Sequence, residues 1–79
     1  MKIDKRSYEI ATQLLTWFNV ICKNEGHDPL PCLEAHSKDA LRRGACYIES
    51  QLPKFKQTYQ KSCLEGLLKI ATDYCDSLE

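Results

Sequence analysis

Proline and glycine interrupt this chain at two places, and those interruptions constrain its fold more than any other feature. The first is Asn24-Glu25-Gly26-His27-Asp28-Pro29-Leu30-Pro31, and the second is marked by Pro53. Proline has no backbone donor and fixes φ, so it stops a helix or opens one. On either side of the breaks the apolar residues recur with a period near 3.6, and no alternating strand pattern is present. In the first segment they are Ile10, Ala11, Leu14, Leu15, Trp17, Phe18, Ile21 and Cys22. In the third they are Phe55, Tyr59, Cys63, Leu67, Ile70, Ala71, Tyr74 and Leu78, flanked by Leu64, Leu68 and Cys75. Asp28 reads as an N-cap for the second segment, with Pro29 and Pro31 in its first turn. Its inward line is then Leu33, Ser37, Ala40, Leu41, Gly44, Tyr47 and Ile48. The small pair Ala40 and Gly44 would admit a neighbouring helix closely, unless Gly44 is simply tolerated.

These signals predict an all-α fold: an antiparallel three-helix bundle with helices over residues 4–23, 29–51 and 53–78. With 79 residues and no internal repeat or low-complexity tract, residues 1–79 form a single helical domain. A chain this short buries only about 60% of its unfolded surface, so a metal or a partner chain would add to its stability. The apolar arcs of the first and third segments span roughly 160° at about 100° per residue, wider than an ordinary surface helix needs. Some of Tyr8, Trp17, Val20, Leu64 and Leu68 should therefore reach the surface and serve a partner.

One connection carries a motif. Cys22, His27, Cys32 and His36 read C-x4-H-x4-C-x3-H and include both histidines of the chain. Cysteine and histidine are the usual ligands of structural zinc. If a helix begins at Pro29, Cys32 and His36 share a face one turn apart. The spacing resembles part of a zinc knuckle, C-x4-H-x4-C, but Asn19 stands where the knuckle's first cysteine belongs. The alternative is an ordinary loop with solvent histidines and a half-buried Cys22. Cofactors are otherwise not expected. Cys63 and Cys75 belong to the apolar arc, while Cys46 lies near Arg42 and Arg43, which would favour its thiolate.

Eleven basic and eleven acidic residues leave no net charge, which disfavours a dedicated nucleic-acid binder. Antiparallel helices would gather Lys2, Lys5, Arg6, Lys54 and Lys56 at one end. Glu25, Asp28, Glu34, Asp73, Asp76 and Glu79 would gather at the other. No signal peptide or apolar span is read, so the expected location is cytoplasmic and the five cysteines are expected as thiols. There is no Gly-rich phosphate loop and no G-x-S-x-G elbow, and no enzyme is expected.

The function read from these features is a small protein–protein interaction module: an adaptor, an inhibitor or a regulatory subunit. It is similar in type to compact phage and plasmid accessory proteins. Its partner-binding residues are Trp17, Val20, Leu64 and Leu68, and it is expected to pair as a homodimer. The alternative is a nucleic-acid-binding regulator using the basic residues Arg42, Arg43, Lys54, Lys56 and Lys61, with a structural zinc.

Overall fold

The computed structural model describes residues 4–33 and 36–77. Among them are three α-helices and no strand: α1 (Lys5–Glu25), α2 (Lys38–Gln51) and α3 (Thr58–Asp76), with a 3-10 turn, Leu52–Lys54, between the last two. All three helices pack on one another, so the chain is an all-α three-helix bundle. Lys2, Glu34, Leu78 and Glu79 lie outside the described residues.

Each helix end has a local cause. Asp4 caps α1, its carboxylate accepting from the N–H groups of Arg6 and Ser7. Gly26 closes the same helix at φ 76, a left-handed conformation that costs glycine little, and donates to the Cys22 carbonyl. Ser37 caps α2 by accepting from the Ala40 N–H, and Asp39 in the first turn complements the helix dipole. Gln57, at the start of α3, offers no side-chain cap. Glu25 acts in its place from the far end of α1. Its carboxylate accepts from the N–H of Lys56 at 2.9 Å and of Gln57 at 2.8 Å.

The second helix begins nine residues later than residue 29, and the bundle's direction changes with it. Pro29 and Pro31 do not open a helix; they lie in an irregular segment, described over residues 26–33 and 36–37, that returns along α1. Asp4 N–H donates to the His36 carbonyl at 3.1 Å, so the segment ends where α1 begins. At about 1.5 Å per residue α1 is roughly 31 Å long. At about 3.3 Å per extended residue, the chain between the end of α1 and the start of α2 has length enough to retrace it. Consequently α1 and α2 run parallel, and α3 runs antiparallel to both. At one end Arg42 pairs with Asp76 at 2.7 Å, Lys38 Nζ donates to the Ser77 carbonyl at 3.2 Å, and Tyr74 Oη donates to Asp4 at 2.7 Å. At the other, Glu25 holds Lys56 and Gln57.

The core joins Ile10, Leu14, Phe18 and Ile21 of α1 to Leu41 and Ile48 of α2, and to Leu64, Leu68 and Ala71 of α3. Phe18 and Phe55 meet edge to face at 5.5 Å between ring centres. The returning segment is fastened to this core as a strap. Asn19 grips it at Leu30, donating to the carbonyl at 2.8 Å and accepting from the N–H at 2.9 Å. Leu33 then packs on α2, where a Cβ added to Gly44 would meet its Cδ2 at 3.3 Å. The close approach at Gly44 is therefore real, but the strap makes it and not a helix.

Candidate functional site

The four cysteine and histidine residues spread along α1 because the strap is extended. Cys22 is buried in the last turns of α1. His27 follows it in the chain and is exposed, with its ring centre 5.7 Å from that of Phe55 and Nε2 3.9 Å from Glu25. Cys32 is exposed beside a shallow cleft lined by Tyr8, Ala11, Thr12, Leu15 and Leu33, against the first half of α1. His36 is exposed next to Asp4, at the start of that helix. Cys32 and His36 share no helical face, since neither belongs to a helix. Among the described residues no three Cys, His, Asp or Glu side chains are placed to hold a metal ion. Burial, reinforced by Asp28 and Glu25, pushes the Cys22 thiol up.

The parallel course of α2 also redistributes charge. Lys5 and Arg6 share their end of the bundle with Asp39 and Asp76, while Lys54 and Lys56 lie with Glu25 and Asp28 at the other. The two ends are mixed in sign, and the expected segregation into a basic and an acidic pole does not form. The five candidate basic residues are likewise divided. Arg42 and Arg43 lie in the first half of α2, whereas Lys54, Lys56 and Lys61 surround the entry to α3.

Between α2 and α3 runs a cleft of about 240 Å³ lined by Arg42, Ala45, Cys46, Glu49, Leu68, Ala71, Thr72 and Cys75. Cys46 is exposed there, and Arg42 beside it is already engaged by Asp76. Burial pushes the Cys75 thiol up, and that thiol donates to the Lys38 carbonyl at 3.4 Å. A second cleft, of about 270 Å³, is bounded by Phe18, Cys22, His27, Asp28, Tyr47, Gln51, Lys54 and Phe55. Neither joins an activated nucleophile to an oriented base, the pairing that acyl transfer needs.

The apolar residues show the most consequential rearrangement. Leu64 and Leu68, two of the four candidate partner residues, are core side chains at 0% and 5% exposure. Trp17 is half-buried against the core, and Val20 stands out at 40% exposure. The inward face of α3 is Leu64, Leu68, Ala71 and Cys75. The arc expected to point inward is thereby turned outward at Tyr59, 73% exposed, and at Ile70, 46% exposed. On α3 the flank bearing Leu68, Thr72 and Cys75 faces α2, and the flank bearing Tyr74 faces α1. Cys63, Leu67 and Ile70 continue that second flank outward at helical spacing. On α1 the strap covers the flank of Ala11, Leu15 and Asn19, leaving Trp17 and Val20 on the side of α3. Tyr59, Cys63, Leu67 and Ile70, joined by Trp17 and Val20, thus make one apolar face across α1 and α3.

Tyr59 and Ile70 as surface residues were missed in the sequence because a wide apolar arc fixes the inward direction poorly. Gly66 was the available signal. It lies between them on the solvent side of α3, and a Cβ there would meet nothing within 4 Å. The chain matches no family model, no curated protein and no solved structure. Its function is therefore argued from its own surface.

Proposed function

We propose that this protein is a small protein–protein interaction module that engages its partner through the α1–α3 face. One observation carries the reading: Val20, Tyr59 and Ile70 are exposed, and helical spacing sets them beside the half-buried Trp17, Cys63 and Leu67, whereas the exposed Tyr8 and Tyr47 stand apart on the strap side and on α2. Apolar side chains gathered on a single face mark an interaction surface, whereas scattered ones are ordinary. Nothing in either cleft converges chemically in a comparable way. An adaptor, an inhibitor or a regulatory subunit would each use such a face, and the class of partner is protein.

A photo-crosslinking residue at Ile70 or Val20, compared with one at the exposed Arg43 of α2, tests the reading in extract of the source cells. Discrete protein adducts from Ile70 and Val20 but not from Arg43 are expected. Equal labelling from all three positions would refute it. Binding of generic DNA or RNA at low salt, falling steeply as salt rises, would favour a nucleic-acid partner instead.

A further inference from the structure

We infer that the occupant of the α1–α3 face is a second copy of this chain, with α3 packed antiparallel on α3 of its twin about a two-fold axis at Gly66–Leu67. This inference rests on the interaction reading above and names its partner. It begins with Gly66. Glycine in a helix interior is the least favourable ordinary residue after proline, and inside this molecule no neighbour needs its missing side chain. It lies on the outward line of α3 between Tyr59 and Ile70, where a second helix could approach the backbone directly. The glycine alone decides nothing, but the residues around it are self-complementary.

In an antiparallel pair related by a two-fold axis, each flank of one helix meets the same flank of its twin. With the axis at Gly66–Leu67, Leu67 meets its own copy and Ile70 comes opposite Cys63. That flank is apolar on both sides and continuous with Trp17 and Val20. The other flank carries Glu65 and Lys69, both exposed. The axis sets Glu65 of each copy across from Lys69 of the other, making two equivalent ion pairs. Toward the ends, the exposed Tyr59 hydroxyl comes near the exposed Asp73 carboxylate of the twin and can donate to it. A helix shifted by one turn in either direction would break the charge match, setting Glu65 against its own copy one way and Lys69 against its own copy the other. An isologous pairing of this kind needs only one patch and closes on itself.

Analytical ultracentrifugation of the full chain across a micromolar to high-micromolar series tests this, with four variants. The wild type is expected to show a monomer–dimer equilibrium. Glu65→Lys and Lys69→Glu each place like charges in register twice, and each is expected to weaken association about tenfold. The double variant Glu65→Lys/Lys69→Glu restores opposite charges and is expected to recover the dimer. Gly66→Ala should give a monomer more resistant to denaturant but a weaker dimer, opposite signs that no role confined to the monomer produces. Circular dichroism confirms that each variant is folded; these positions are exposed and make no core contact. A wild type that stays monomeric throughout overturns the inference. So does a dimer indifferent to the single charge reversals or not recovered by the double one. If the chain is monomeric while crosslinks from Ile70 still capture a discrete protein, only self-association fails and the interaction reading stands. If neither is seen, both fail.

Discussion

Replacing Asn19 with alanine should loosen the strap while leaving the three helices in place. The Asn19 side chain makes two hydrogen bonds to one residue, donating to the Leu30 carbonyl at 2.8 Å and accepting from its N–H at 2.9 Å. A protein hydrogen bond contributes about 0.5–1.5 kcal/mol net, because water competes for the same groups. Two give about 1–3 kcal/mol. Leu30 is only half-buried, so water can reach its freed N–H and C=O, and the lower part of that range, about 1–2 kcal/mol, is expected. One to two kcal/mol corresponds to about a 5–30-fold change in an equilibrium. Amide hydrogen exchange of Leu30 should therefore accelerate by about that factor in Asn19→Ala, with that of Leu33 rising alongside it.

The control is Asn24→Ala, an exposed position on the same helix, which should leave Leu30 protected. A Leu30 amide that exchanges in the wild type as fast as in an unstructured peptide would refute the reasoning at its root. An Asn19→Ala variant whose exchange accelerates equally throughout α2 and α3 would show that the strap has no separate opening, and would refute it in another way.

Leu64→Ala should cost about 2–5 kcal/mol in a denaturation experiment, since that side chain is wholly buried, whereas Val20→Ala should change stability by about 0.5 kcal/mol or less. Leu68→Glu, at 5% exposure, should prevent cooperative folding as judged by circular dichroism, while Ile70→Glu, at 46%, should fold normally. The Tyr74 hydroxyl, aided by the N–H groups of Ser7 and Arg6 and opposed by burial, holds the Asp4 carboxyl below its ordinary range. Its folded pKa is lowered, so the stability it contributes is complete above the ordinary value of 3.8 and disappears as pH falls through the folded value. Asp4→Asn should accordingly be less stable than the wild type at neutral pH, and the gap should narrow in acid; a gap independent of pH would contradict the assignment.

The parts of the fold legible in the sequence are those fixed by local chemistry. Asp4 and Gly26 bound α1 as a cap and a left-handed stop should, and Pro53 marks the second break, though it opens a 3-10 turn and α3 begins only at Thr58, five residues later than expected. What misled was Pro29 and Pro31, because a proline suits an extended segment as well as a first helical turn. Ser37, expected on the inward line of the second helix, instead caps it, with Asp39 in the first turn. That choice propagates. A helix beginning at residue 29 leaves a loop too short to do anything but reverse direction. A longer strap can travel back along α1, and α2 then points the other way. The segregated charge poles and the clustered cysteine and histidine set both depended on the short loop. Asn19 figures in the sequence only where a zinc knuckle's first cysteine would stand, yet a side-chain amide can satisfy a passing backbone N–H and C=O at once.

The strap also explains why the apolar surplus lies where it does. A returning segment covers only one flank of α1, and Asn19, Leu15 and Ala11 fix which flank. Leu30 and Leu33 supply on that side the apolar cover that a fourth helix would give elsewhere. The opposite flank, with Trp17 and Val20, receives only α3. There α3 has already turned Leu64, Leu68 and Ala71 inward to reach both neighbours, so Tyr59 and Ile70 are left facing water. Mixing the charges at both ends removes the other asymmetry from which a binding mode could have been argued. The α1–α3 face is thus a consequence of how the strap is routed. A change that rerouted the strap, Asn19→Ala foremost, would be expected to alter the surface available to a partner without touching a single residue of that face.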